Sequence, residues 1–427
     1  MKKILLISAN TEKGPILYPI GLGYIHSGLI QKNYDAGILD LAHNEYSKEC
    51  IFNYLREYNP DYIGISIRNL DNCCYRHPLS FANQIKQLVD WIGEWRSQTV
   101  IFIGGSAFSL LPESWLKFLN VNYGIIGDGT NSIPALVENL EKGIVFPKIP
   151  GLAYFKNERC IKYQADSGNS FRNINPSRDG FIHKLISGEK VRHNILSKRG
   201  CNYKCIFCAY HVLEGNKIIE REPQSVIDEI IEMIEKHNIY EFDFVDSVFN
   251  NPQKHAEEIC RLIIENGLKV SWKCFLNPYN CSKDFLSLLK QAGCKHVELG
   301  IDTASDKMIR LMKKGFKKQD VCECIKNCNA VGLAYDVCLL FGCPGETIET
   351  VKETLELMDK LNVNELFGLI GIRILPHTEI FNTFTKGFNE DDLLLPKFYM
   401  SPEVEPKDII NVFNEKFKNN HPNWMIV

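Results

Sequence analysis

Two stretches of this 427-residue chain repeat one pattern: a short β-branched or aliphatic run, an amphipathic helical period, and then the next run. In the first stretch the runs lie at residues 4–8, 62–67, 100–104 and 123–126, with helical periods at 22–32, 77–96 and 133–140. In the second they lie at 194–197, 241–246, 270–275, 296–301, 335–341 and 366–375. The clearest helical period between them is 225–237, where Val226, Ile230, Met233 and Ile234 share a face. Strands joined by helical crossovers must run parallel and be covered on their faces, so each stretch predicts an α/β unit. The chain is also too long for one core. The expected organisation is a doubly wound, Rossmann-like domain at 1–145, a linker with at most one hairpin at 146–190, a partial (β/α)6 TIM barrel at 191–385, and a short extension at 386–427. Six βα units fall short of the eight that close a barrel, which leaves an open one with its mouth at the carboxyl ends of the strands.

A hydrophobic content of 45% with 24% charged residues is that of a water-soluble globular chain. The formal net charge of -3 is spread over mixed signs with no basic run, which argues against nucleic acid as a partner. The opening Met-Lys-Lys-Ile-Leu-Leu-Ile-Ser has an apolar run too short for a signal peptide, and no later stretch is long enough for a membrane span. A cytoplasmic location is expected, and there the sixteen cysteines stay thiols. Most of them, including the Cys322, Cys324 and Cys328 group, fit apolar patterns and read as small core residues.

The predicted strands of the first series end in small residues: Ser66, then Gly104-Gly105, then Gly127. Ligands of doubly wound sheets bind at those carboxyl ends, and small residues let backbone come close to a bulky one. The plainer alternative is a set of tight turns.

In the second series Cys201-Asn-Tyr-Lys-Cys205-Ile-Phe-Cys208 follows the first strand, at the barrel mouth. Three thiolates hold three irons of a four-iron four-sulfur cluster and leave one iron open to a chelating ligand. The alternative is zinc, with His211 completing a Cys3His tetrahedron. Structural zinc staples small modules, whereas this loop opens a domain of nearly 200 residues.

A Cys-x3-Cys-x2-Cys loop after the first barrel strand resembles the radical S-adenosylmethionine superfamily. Phe-Val-Asp-Ser-Val-Phe-Asn (244–250), Val-Glu-Leu-Gly-Ile-Asp (297–302), Phe-Gly-Cys-Pro-Gly-Glu-Thr (341–347) and Ile-Arg-Ile-Leu-Pro-His-Thr (372–378) resemble that family's segments in order. Pro-Ile-Gly-Leu-Gly-Tyr, Gly-Ile-Ser-Ile-Arg-Asn and Gly-Gly-Ser-Ala-Phe resemble the cobalamin-binding domain of its cobalamin-dependent branch. The resemblance covers nearly the whole chain. It implies a 4Fe-4S cluster on Cys201, Cys205 and Cys208, S-adenosyl-L-methionine on its open iron, a 5'-deoxyadenosyl radical, and cobalamin on the first domain. It implies in turn an external electron donor such as flavodoxin or ferredoxin.

Two departures are visible. Val245-Asp246-Ser247 stands where the family has Gly-Gly-Glu, so Asp246 and Ser247 are the candidates to receive the S-adenosylmethionine ammonium. The loop Ser-Ala-Asn-Thr-Glu-Lys-Gly after the first strand lacks the histidine that many cobalamin proteins supply to cobalt. By the same resemblance Glu298 and Asp302 would hold the ribose, Phe207 would pack on adenine, and the backbone at Gly342 would approach it. For each, the alternative is an ordinary salt bridge, core aromatic or tight turn. Arg373, in an apolar run, must find a partner. Arg68 leaves its strand where a corrin would lie; a guanidinium donates but does not coordinate, and under cobalt it would keep a water ligand away. Its alternative is a surface pair with Asp71.

These features predict a cobalamin-dependent radical S-adenosylmethionine enzyme, most simply a methyltransferase acting on an unactivated carbon of a small molecule, lipid or peptide. The alternatives are a radical cyclase or rearrangement enzyme, and a cobalamin or iron-sulfur sensor without turnover.

Overall fold

The computed structural model describes residues 2–11, 16–43, 46–166, 170–181, 191–384 and 389–427. Parts of the 8–14 loop, of the 146–190 linker and of the 386–427 extension therefore lie outside the described residues. The chain divides into two compact units: Met1–Asn72, Ser80–His193 and Asn389–Leu395 form the first, and Cys73–Leu79, Asn194–Phe388 and Pro396–Val427 the second.

The first unit runs β1 (Lys3–Ser8), α1 (Ile20–Gln31), β2 (Asp35–Asp40), α2 (Lys48–Tyr58), β3 (Tyr62–Ser66), α3 (Ala82–Trp95) and β4 (Val100–Gly104). It continues with α4 (Ser106–Leu110), α5 (Pro112–Leu119), β5 (Tyr123–Ile125), α6 (Ser132–Glu141), β6 (Leu152–Lys156) and β7 (Arg159–Lys162). The sheet order is β2-β1-β3-β4-β5-β6-β7. The first five strands pair in parallel, and β6 and β7 add an antiparallel hairpin drawn from the segment expected as linker. The four consecutive apolar residues Ile4–Ile7 of β1 are fully buried, as a central parallel strand requires. On one face Ile4, Leu6, Ile38 and Phe102 pack against Leu22 and Leu29 of α1 and Leu136 and Val137 of α6. β2 is not evident in the sequence: Asp-Ala-Gly-Ile-Leu-Asp holds a single β-branched residue, and the strand forms because its backbone pairs with β1 from Lys3 to Ser8.

The second unit opens with β8 (His193–Ile195), β9 (Lys198–Arg199), α7 (Tyr210–Leu213), β10 (Ile219–Glu220), α8 (Pro223–His237), β11 (Glu241–Phe244), α9 (Gln253–Glu265) and β12 (Ser271–Leu276). It continues with α10 (Lys283–Gln291), β13 (Cys294–Asp302), α11 (Asp306–Leu311), α12 (Lys318–Val331), β14 (Ala334–Phe341), α13 (Ile348–Lys360) and β15 (Leu366–Ile370). The end of the chain adds β16 (Ile372–Arg373), α14 (Glu379–Phe384), β17 (Phe398–Tyr399), α15 (Pro406–Lys416) and β18 (Trp424–Ile426). The main sheet has the order β18-β15-β14-β13-β12-β11-β8, an open partial barrel. Every second residue, such as Val297, Leu299 and Ile301 of β13 and Val337 and Leu339 of β14, is buried under the helices. The residues between them line the inner face.

Two details differ from the sequence-based expectation. The sheet has a seventh strand, β18, in which Trp424–Ile426 pairs in parallel with β15. The single run expected at 366–375 is broken at Gly371, whose φ of 82° turns the chain out of the sheet. Arg373 then falls in a two-stranded ribbon with β17.

Candidate functional site

In the first unit the order 2-1-3-4-5 places the reversal of winding between β1 and β3, and in such sheets the ligand crevice opens there, beyond the carboxyl ends of the strands. A cavity lies there, lined by Ala9 and Asn10 after β1, Ile67, Arg68 and Asn69 after β3, and Phe81 and Ile85 at the start of α3. The expected small residues sit side by side along the same edge. Ser66 is in register with Gly104, and both are half-buried. Gly105 has φ 98°, and a Cβ there would fall 2.5 Å from the Ile67 carbonyl oxygen, so only glycine fits. Gly127, φ 75°, is exposed, and its N–H donates to Ser109 Oγ at 2.9 Å. Arg68 is exposed and, among the described residues, takes part in no ion pair, so the surface pair with Asp71 is not formed. The small residues Ser66, Gly104, Gly105 and Gly127 along this edge suit a bulky ligand approached by backbone, as cobalamin would be.

In the second unit, residues 200–209 carry the three cysteines. Cys201 is buried, while Cys205 and Cys208 are half-buried. The loop is stitched at its base: Cys201 N–H donates to the Gly215 carbonyl at 3.1 Å, and Gly200 N–H to Glu214 Oε2 at 3.1 Å. Gly200, φ 90°, approaches Lys217 so closely that a Cβ would lie 2.2 Å from its carbonyl oxygen. Burial pushes the Cys208 thiol up to about 12 and also raises Cys205, against which the Lys314 ammonium acts. Among the described residues no three His, Cys, Asp or Glu side chains converge as a single-ion site. Thiols around a four-iron cluster attach to separate irons and have no need to meet at one point. The soft donor set and its spacing along one loop fit that cluster.

The structure gives several expected contacts other tasks. Asp246 is fully buried and accepts from Ser197 N (2.8 Å), Ser197 Oγ (2.5 Å), Lys198 N (3.2 Å) and Lys198 Nζ (3.2 Å). Its carboxylate anchors the root of the cysteine loop and is not presented to an ammonium ligand. Lys198 Nζ also donates to the Phe249 carbonyl at 3.0 Å, which leaves this buried pair well satisfied. Ser247 Oγ donates to the Gly200 carbonyl at 3.3 Å, again at the loop root. The Gly342 N–H donates to Glu346 Oε2 at 2.5 Å and its carbonyl accepts from Ser401 N at 2.9 Å, so its backbone is engaged within the protein. Its φ of 98° and the Met400 sulfur, 2.4 Å from where a Cβ would stand, make it an obligatory glycine of a tight turn. Asp302, φ 60°, pairs with Lys314. Arg373 is buried and donates to the carbonyls of Ile374 (2.5 Å) and Lys397 (3.3 Å).

Glu298 stays on the inner face of the sheet, in register with Phe275 on one side and Asp336 on the other. That face also carries Asp243, Lys273, His296 and Cys338, and His296 pairs with Asp336 at 2.6 Å. Burial, together with Asp336, Glu298 and Asp302, pushes the Cys338 thiol up to about 12. Gly300 on the same face has open space where a side chain would be. A closed barrel fills its interior with branched apolar side chains; this one presents ionisable groups, a thiol and the 41% exposed Phe275.

Sequence reasoning missed Lys314. It sits in Met-Lys-Lys-Gly-Phe-Lys-Lys, a run that reads as solvated, yet its side chain is only 8% exposed. Burial, the largest influence, opposes its charge, but Asp302 together with Cys205 and Cys208 holds the ammonium above its usual range. Its Nζ lies 5.7 Å from the centre of the Phe207 ring, between Cys205 and Cys208. Nothing in its spacing distinguishes it from Lys313, Lys317 or Lys318.

Residues 9–137 match the family model for the B12 binding domain, and residues 195–358 match that of the radical SAM superfamily. An uncharacterized methyltransferase of Pyrococcus horikoshii is 24% identical over 374 residues, covering 85% of this chain and 79% of its own length. The tryptophan 2-C-methyltransferase of Streptomyces laurentii is 24% identical, over 88% of this chain and 73% of its own. Among solved structures, the radical S-adenosylmethionine methyltransferase TsrM of Kitasatospora setae, with cobalamin and a [4Fe-4S] cluster bound, superposes with a TM-score of 0.89 at 21% identity. That match covers 100% of this chain and 93% of that one, and shows the shared fold.

Proposed function

Because this chain belongs to the radical SAM superfamily and carries a B12 binding domain, we propose that it is a cobalamin-dependent methyltransferase that places a methyl group on an unactivated carbon of a small polar molecule. The observation that carries the reading is the pairing of two ligand-ready strand edges in one chain: a crevice at the switch point of the first sheet, and a three-cysteine loop at the mouth of the second. Cys201, Cys205 and Cys208 would hold the cluster; Ser66, Gly104, Gly105 and Gly127 would let the corrin approach backbone; Phe207 would face adenine and Glu298 the ribose. When bound, the cluster and the corrin supply one-electron chemistry and a methyl carrier, fed by an external donor of the flavodoxin or ferredoxin class. Arg68, exposed at the crevice, would present to the corrin a donor that cannot coordinate a metal.

The ionisable inner face favours a polar acceptor over a lipid. Among the described residues no helix is long and apolar enough to cross a membrane. The named substrates of relatives, tryptophan in Streptomyces laurentii and a cytidylyl-linked hydroxyethylphosphonate in Streptomyces wedmorensis, are both polar small molecules and are the first probes to try. The test is anaerobic incubation of reconstituted protein with cobalamin, a reductant and S-adenosylmethionine carrying a deuterated methyl group. Transfer of the label to a carbon of a polar acceptor supports the reading. Release of 5'-deoxyadenosine with a rearranged, unlabelled product would replace it with the cyclase or rearrangement alternative, and binding of both cofactors without any turnover would leave a sensor.

A further inference from the structure

Resting on the cluster assignment above, we propose that Lys314 sets the reduction potential of that cluster, as a fixed buried cation that favours the reduced form. The turn between α11 and α12 is clamped to the cysteine loop at three places. Ile206 N–H donates to the Met312 carbonyl at 3.3 Å. The Tyr203 ring packs on Gly315 so closely that a Cβ there would lie 2.2 Å from it. Lys314 Nζ stands over Phe207 at 5.7 Å and over Phe316 at 5.4 Å.

The remaining contacts of Lys314 are the Asp302 carboxylate and the Gly300 carbonyl, the latter at 3.2 Å. Its neighbour Lys313 is the contrast: 51% exposed and paired with Glu379 at 2.6 Å, it is screened by water. A charge held out of water acts far more strongly on its surroundings than an exposed one. Of the two partners it is Lys314 whose charge stands over a ring of the cysteine loop, so the pair is not symmetric toward that loop. Reduction adds one electron to the cluster; a nearby cation stabilises the added charge and raises the potential, which in these clusters follows net charge and surroundings. Lys314 acts on the cluster from outside its ligand set and is a positioning and tuning residue.

The measurement is a redox titration of the anaerobically reconstituted protein without S-adenosylmethionine, followed by the electron paramagnetic resonance signal of the reduced cluster. Lys314→Met should lower the midpoint by at least about 59 mV, a tenfold shift in the reduced-to-oxidised ratio at fixed potential. Lys314→Arg should return it close to the parent value. Asp302→Asn, which keeps the lysine and removes its counter-charge, should move it the opposite way. An unchanged midpoint in Lys314→Met, or a downward shift in Asp302→Asn, overturns the proposal. So does failure of both variants to take up iron while the parent does, since the pair would then be needed for assembly and not for tuning. If the parent takes up no iron, it is the cluster assignment that fails.

Discussion

The carboxyl edges of the two sheets are built from different materials. In the first unit the edge is mostly backbone and small residues, Ser66, Gly104, Gly105 and Gly127, with the exposed Arg68 beside them. In the second it is buried charge: Asp246 with Lys198, Asp302 with Lys314, and Glu346 inside its own turn. On the proposed reading the first kind of site would admit a large, flat, preformed ligand, and the second would fix a short loop so that three sulfurs could hold a cluster. It follows that the two edges should fail differently when altered, the first by clash and the second by uncompensated charge.

The largest effect is expected at Asp246. Removing its carboxylate leaves the Lys198 ammonium buried without its partner, so Asp246→Ala should destabilise the second unit by about 3–5 kcal/mol, read as a lower urea midpoint. A loss near zero would mean that the cysteine-loop root is held by backbone, as the first edge is. Glu346 comes next. Burial lifts its carboxyl to about 7, against the pull of the Gly342 and Cys343 N–H groups. Its folded value thus exceeds the unfolded one of 4.5, so the folded state keeps a proton that the unfolded state releases. The associated stability is present below about pH 4.5 and is lost as pH rises through about 7. The loss should be on the order of 3 kcal/mol, and Glu346→Gln should flatten this part of the stability-pH curve.

For the first edge, Gly105→Ala forces a Cβ into the Ile67 carbonyl at a positive φ and should cost about 1–3 kcal/mol, seen as a drop in Tm with cobalamin binding weakened in step. The smallest effect on stability is predicted for Arg68→Ala, within about 0.5 kcal/mol because the side chain is exposed, while methyl transfer is lost and cobalamin still binds. Unchanged methyl transfer by that variant would reduce the first edge to a purely backbone site.

The same contrast explains what was legible in the sequence. Glycines at strand ends and a Cys-x3-Cys-x2-Cys loop announce themselves by residue type, and the alternation of strand and helix periods carries the fold class. The partners of carboxylates do not. Asp246 reads as a residue free to meet a ligand until Ser197 and Lys198, some 50 positions earlier, are seen to occupy it. Lys314 reads as one of four solvated lysines until the turn that carries it is seen against the cysteine loop. β18 was equally silent, because the three residues Trp-Met-Ile have no period to measure and become a strand only by pairing with β15. Long-range pairing of polar groups and of short strands depends on topology that local patterns do not encode.

The central claim is that the second edge holds an iron-sulfur cluster, and the direct measurement is the iron and acid-labile sulfide content of protein reconstituted without oxygen. The account predicts about four irons and four sulfides per chain, with broad absorption near ~400 nm, all lost when Cys201, Cys205 and Cys208 are changed together to alanine. One zinc per chain with no iron uptake, dependent on His211 as well as the three cysteines, would contradict it.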